Sequence, residues 1–398
     1  MNRGLTALVL LMLLSLSSCY VGRAYRFRNF YLKDINKLAS VDLNASAEPF
    51  YFKQGNLSSS LTSFLDTNLA NSYTYAFLVI RNDSILYEKY FDALTDKTLM
   101  PSFSVSKSFV ATLAEMAHEE GKIGSFGQPI TDYLPFLLKN DKAFANITIQ
   151  HLLDMRSGIK SSENYGNPFS DVLKLGFTKN MMGKIRRLKI EKAPGEQEYK
   201  SVNTQLLALI IEKATGKKIQ DYLVEKLWQP LGMETAATWN IDSKQHKVAK
   251  AFCCINATAR DFAKLGRLYL NQGNWNGRQL LSSHWIHTTV QADTMQKYEG
   301  YKNQWWGGNR NEYFTDSLRA ADFTYKNDAK MFSYTPKNST QKYYGVALSN
   351  SPYYAEGILG QFIFVNPANH VVIVRLGHYW KNKSFGIENF LHRVARSL

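Results

Sequence analysis

The sequence predicts an α/β (α+β) protein: an antiparallel sheet built from both chain ends and flanked by helices, with a mostly helical lobe inserted between them. Three observations carry this. Two β-runs occupy residues 75–91 near the start, and three more occupy 343–350, 357–366 and 370–377 near the end. Between them the apolar spacing is mostly helical. Strands at both ends with helices between them put the two ends in one sheet and the middle in a separate lobe. The expected division is a leader over 1–18, an N-terminal extension over 19–72 and a main domain over 73–398. Within that domain, 73–120 and 330–398 form the α/β lobe and 121–329 the helical lobe.

The elements follow in order. Residues 1–19 begin with Arg3, continue as an apolar run from Leu5 to Leu14 and end Leu16-Ser17-Ser18-Cys19. A basic start, a short apolar stretch and small residues before a cut make a secretory leader, and the run is too short to span a bilayer. Ser58 to Asn68 fits a short amphipathic helix. Asn82-Asp83 between the first two β-runs is a hairpin turn. Ser104 to Glu120 is a helical run with Phe109, Val110, Leu113 and Met116 on one side, stopped by Gly121. Asn203 to Thr215 is an apolar helix stopped by Gly216. Thr258 and Asp261 have capping-box spacing ahead of a helix to Leu270. Asn366-Pro367-Ala368-Asn369 is a turn, and a helix closes the chain from about Gly386 to Arg396.

Composition narrows the function. Among 398 residues, 45% are hydrophobic and 20% charged, which excludes a largely disordered or collagen-like chain. The 48 Lys and Arg against 33 Asp and Glu give a net charge of +15, but they are dispersed. That is a solvated basic surface and no nucleic-acid footprint. Three cysteines are too few for a disulfide scaffold. Cys253 and Cys254 are adjacent, a poor geometry for pairing, and read as small buried apolar residues. His284 and His287 lack an acidic partner nearby, so no metal is indicated. Neither a Gly-x-Ser-x-Gly elbow nor a phosphate-binding glycine loop occurs.

The chemistry lies in Ser104-Val105-Ser106-Lys107. A serine hydroxyl is a weak nucleophile until a neighbouring base takes its proton. A lysine three residues on shares its helical face and can do so when partly desolvated. The same spacing recurs as Ser157/Lys160 and Ser339/Lys342. Ser157 precedes Gly158 and a polar stretch, and Ser339 lies in a polar loop. Only Ser104 opens a long apolar helix, just after the extended Met100–Phe103 segment.

With Pro101–Leu113, Ile147–Leu153 followed by Ser157-Gly158, Pro194–Gly216, Asn256–Asp261 with Gly266, and Gly357–Pro367, the chain resembles the serine β-lactamase and penicillin-binding-protein superfamily. It is most similar to the class C-like branch, with its esterases and 6-aminohexanoate-dimer hydrolases. The resemblance implies a β-lactamase-like fold and a hydrolase in which Ser104 is acylated and Lys107 assists. It places the family's Tyr-x-Asn at Tyr199-Lys200-Ser201. Tyr199 is then the general acid/base, and Ser201 stands where the family has Asn. It assigns the oxyanion-hole N–H groups to Ser104 and Ile358, with Gly357 and Gly360 allowing close substrate approach on a Gly357–Gln361 strand.

The family's Lys-Thr-Gly is missing, and Ala355-Glu356-Gly357 stands in its place. A β-lactam carboxylate would meet no cation there, and would lie near Glu356 if that side chain faced the pocket. The substrate implied is a small non-β-lactam ester or amide, with no metal or organic cofactor. A β-lactamase or D-alanyl carboxypeptidase and an inactive surface binding protein are the alternatives. The Leu-Ser-Ser-Cys ending resembles a bacterial lipoprotein box, which implies lipid on Cys19 and a membrane-anchored protein of the cell envelope, periplasmic or outer-membrane.

Overall fold

Burial of the Ser106–Glu119 helix extends over every residue from Ser106 to Ala117, the mark of a helix threaded through a core rather than laid on one. In the computed structural model, residues 20–26, 32–290, 300–307, 311–326, 330–335, 340–347, 351–382 and 384–398 are described. They form two compact units, one of residues up to 48 with 99–257, the other of 49–98 with 258–398. The leader and Cys19 lie outside the described residues.

In the first unit the Ser106–Glu119 helix packs against the Ser201–Thr215 helix. Gly216 ends the latter in the left-handed conformation at φ 71°, and its N–H donates to Glu212 O, the usual role of glycine past a helix end. The unit also holds a four-stranded antiparallel sheet in the order Ser40–Leu43, Ala237–Asn240, Ile255–Ala257, Met100–Pro101. The N-terminal extension therefore supplies a strand to what the sequence describes only as helix and loop. Cys253 and Cys254, expected unpaired, are joined in a disulfide. Cys254 sits at φ 83°, and that backbone turn brings adjacent sulfurs together.

The second unit is built on a seven-stranded sheet. Its order is Trp306–Gly307, Tyr353–Gly357, Gln361–Asn366, Val371–Gly377, Thr74–Arg81, Ser84–Tyr90, Lys53–Gln54. Strands from both chain ends thus share one sheet, as expected. Asn82 and Asp83, at φ 48° and 61°, form the tight turn that matches strand twist. One face carries Phe77, Val79, Phe362, Phe364 and Ile373 against Phe390, Leu391 and Val394 of the Ile387–Arg396 helix. The other face receives the Ala259–Leu270 helix. Gly266 permits that approach: a Cβ there would stand 2.7 Å from Val372 Cγ1 and 2.8 Å from Ile363 Cγ2. This packing moves the lobe boundary. Residues 258–329 go with the sheet instead of the helical lobe, and 99–120 go with the helices.

Two further differences concern the C-terminal strands. The 343–350 run, expected in the main sheet, contributes Tyr343–Ala347 to a separate three-stranded sheet with Asn311–Phe314 and Lys330–Tyr334. The 357–366 run is broken into a hairpin, with Leu359 and Gly360 at φ 67° and 82°. Arg375, fully buried, fixes that turn. Its guanidinium donates to the carbonyls of Leu359 and Gly360 at 2.8 Å, of Ser72 at 3.2 Å and of Tyr379, and to Thr74 Oγ1 at 3.1 Å.

Candidate active site

Ser104 is placed by the strand before it. Met100 and Pro101 pair with Ala257 and Asn256, and Ser102 N–H donates to Ile255 O at 2.8 Å. Phe103 then turns the chain at φ 43°. That is a left-handed conformation costing a non-glycine residue about 1–3 kcal/mol. The 3₁₀ turn Phe103–Val105 follows and runs into the Ser106–Glu119 helix. Ser104 therefore sits in a 3₁₀ turn and Lys107 in the first helical turn, and the three-residue spacing still brings them together. The turn is braced by the Ser102 and Ser106 hydroxyls, 2.6 Å apart, and by Ile255 N–H donating to Ser106 Oγ at 3.2 Å.

Lys107 Nζ donates to Ser104 Oγ and to Phe252 O, each at 2.8 Å. Its ammonium lies 5.0 Å from the centre of the Tyr199 ring and 5.7 Å from that of Phe252. Only 1% of the residue is exposed. Burial pulls its pKa from the ordinary 10.5 to about 7, against the opposing pull of the Glu163 charge. At neutral pH a large share of Lys107 is then the free amine, a base within reach of the serine proton.

Ser201 opens the Ser201–Thr215 helix, fully buried. Its N–H donates to Glu163 Oε2 at 2.9 Å and its hydroxyl donates to Glu163 Oε1. Tyr165 O–H donates to the same Oε1 at 2.9 Å. Tyr165 as a whole is 41% exposed, but partial burial of its phenol, then the Glu163 charge, pushes that phenol's pKa up. Glu163 and Tyr165 were invisible to motif reading. They lie in the polar stretch after Ser157-Gly158, without periodicity, and Glu163 is 38 residues from Ser201.

The other two Ser-x-x-Lys spacings do different things. Ser157 donates to Asn203 Oδ1 at 2.6 Å, bracing the helix start. Ser339 lies outside the described residues. Gly357 and Ile358 belong to the second unit. Gly357 ends the Tyr353–Gly357 strand, while Ile358, expected within an edge strand, occupies the turn after it and is 39% exposed. Glu356 pairs across the sheet with Phe362, so its side chain lies on the face covered by the Ile387–Arg396 helix. Burial, then the Glu388 charge, lifts its pKa to about 7.

A buried serine–lysine pair on a helix start, faced by a tyrosine, defines a serine hydrolase. The chain belongs to the Beta-lactamase family, whose model matches residues 67–396. It is 29% identical over 264 residues to 6-aminohexanoate-dimer hydrolase of Paenarthrobacter ureafaciens, covering 61% of this chain and 66% of that one. Its fold is similar to that of a Bacillus anthracis protein provisionally assigned as a 6-aminohexanoate-dimer hydrolase. The TM-score is 0.69 and the identity 23%, over 94% of this chain and 92% of that one. A class C beta-lactamase mutant shares the fold at a TM-score of 0.58 and 18% identity, over 87% and 100% of the two chains.

Proposed function

We propose that the protein hydrolyses a small non-β-lactam ester or amide through an acyl-enzyme on Ser104. The observation that carries this is the 2.8 Å hydrogen bond from a buried Lys107 to Ser104 Oγ. Ser104 Oγ bonds to the substrate carbonyl carbon, its proton passes to Lys107 Nζ, and the carbonyl electron pair moves to oxygen. Collapse of that tetrahedral species expels the alcohol or amine, with Tyr199 passing it a proton. Water then attacks the ester on Ser104 with the same groups acting in reverse. The reading of the substrate is supported by Ala355-Glu356-Gly357 in place of Lys-Thr-Gly and by the name of the Paenarthrobacter relative, a 6-aminohexanoate-dimer hydrolase.

The test is active-site labelling. A fluorophosphonate is expected to modify Ser104, and Ser104→Ala is expected to lose both labelling and turnover. The loss in kcat should be of the order of 10⁶ with folding intact. Retained turnover in Ser104→Ala would overturn the assignment.

For location, the reading is a lipid anchor on Cys19 in the bacterial cell envelope. Mass spectrometry of the native protein is expected to find Cys19 as a lipidated N-terminus. An unmodified N-terminus elsewhere would refute the anchor.

A further inference from the structure

Glu163 is a carboxylate that neither the sequence motifs nor the hydrolytic step above uses, yet it gathers three donors of the site. They are Ser201 N–H, Ser201 O–H and Tyr165 O–H. It is not what closes its own loop. That is done by its neighbour: Ser162 N–H and O–H donate to Asp171 Oδ2 at 3.0 and 3.3 Å, and Asp171 N–H donates to Ser162 Oγ at 2.9 Å. With the loop held independently, the three donors on Glu163 fix where the carboxylate points, not how the loop folds.

Resting on the reading of Ser104 and Lys107 above, we propose that Glu163 is a positioning residue of the hydrolytic site. It holds Tyr165 and the start of the Ser201–Thr215 helix, two residues past the Tyr199 ring that lies over Lys107, and its charge stabilises the ammonium that Lys107 becomes when Ser104 attacks.

The physical argument turns on what changes in the step. In the form that acts as base, Lys107 is a neutral amine before attack. In the tetrahedral species it is an ammonium, and the former carbonyl oxygen carries the negative charge. A fixed carboxylate interacts weakly with the amine and strongly with the ammonium. It therefore lowers the transition state more than the ground state. Ser201 explains why the position is needed: a serine is too short to reach as far as the family's asparagine, and here its one hydroxyl proton goes to Glu163. The Tyr199 ring lies 5.0 Å from Lys107 Nζ, and Glu163, bonded to Ser201 two residues further along, is the charge that bears on Lys107. Lys200 turns away, with Nζ on Ile159 O, Glu191 and Glu198. Asn203 is engaged with Ser157 and uncharged. Glu163 is thus the anion that moves the Lys107 equilibrium.

The experiment measures the second-order rate at which a fluorophosphonate labels Ser104 from about pH 5 to pH 10, in the wild type, Glu163→Gln and Glu163→Asp. This readout needs no knowledge of the substrate. In Glu163→Gln the plateau rate is expected to fall roughly tenfold or more. The acid limb should move to lower pH by about half a unit or more, because Lys107 loses its proton more easily without the anion. Glu163→Asp, which keeps the charge but draws it back, should recover part of the plateau and place the limb between the other two. An unmoved limb in folded Glu163→Gln overturns the inference and leaves Glu163 a structural residue. If Glu163→Gln does not fold, an unmoved limb in folded Glu163→Asp overturns it instead. Failure of the wild type to label at Ser104 would sink the parent reading, not this one.

Discussion

Lys107 Nζ and Ser104 Oγ stand 2.8 Å apart with the lysine sealed from solvent, so the nucleophile and its base are already hydrogen-bonded before any substrate arrives. The carbonyl of Phe252, also at 2.8 Å, holds the amine from the other side. What remains adjustable is the lysine's charge.

That charge gives a pH prediction. With the pKa of Lys107 at about 7, kcat/KM should fall roughly tenfold per unit as pH drops below that value, because the base is then protonated. The same burial costs stability. A lysine whose folded pKa lies below its unfolded value binds fewer protons when folded, so the wild type gains stability as pH rises from about 7 to about 10.5. Lys107→Met should be inactive yet more stable at pH 7 by about 0.5–2 kcal/mol, and should lack this rise. Thermal melts at several pH values check it.

Tyr199→Phe should lose far more activity than Ser201→Ala. Removing the phenol deletes a proton-transfer group, roughly 10²–10⁴ in rate, while the ring over Lys107 stays. Ser201→Ala removes one donor to Glu163 and leaves the N–H donor in place. Steady-state kinetics on a p-nitrophenyl ester compare the two. Equal losses in folded variants would mean the roles are divided wrongly.

Nitrocefin should be a poorer substrate than p-nitrophenyl butyrate. Glu356 faces the Ile387–Arg396 helix, so the Ala355–Gly357 segment brings neither a cation nor a charge of its own to a bound carboxylate. Leaving that carboxylate unpaired costs about 1–3 kcal/mol, roughly tenfold to a hundredfold in kcat/KM. Nitrocefin ahead by tenfold would favour a β-lactamase.

The sequence made legible what local rules govern. Ser104 and Lys107 follow from helical spacing and an apolar helix start. The Asn82-Asp83 turn, the Gly216 stop and the Thr258 cap, which accepts Asp261 N–H at 3.2 Å, follow from backbone chemistry. The misses were long-range. Gly357 to Gln361 reads as a continuous strand because Arg375, whose guanidinium bonds to the Leu359 and Gly360 carbonyls, is 16 and 15 residues away from them. Glu163 carries no pattern that ties it to Ser201. The unit boundary depended on Gly266, whose meaning is visible only against Val372 and Ile363. The pairing of Cys253 with Cys254 depended on one positive φ.

Arg375 also orders events during synthesis. Its guanidinium ties Ser72 to the far end of the chain, 303 residues later. The Thr74–Arg81 strand leaves the ribosome with Ser84–Tyr90 to pair on one side, but its other neighbour, Val371–Gly377, has yet to be made. Through most of translation that strand presents an open edge, the kind that invites wrong pairing. The sheet of the second unit can close only once Val371–Gly377 has been made.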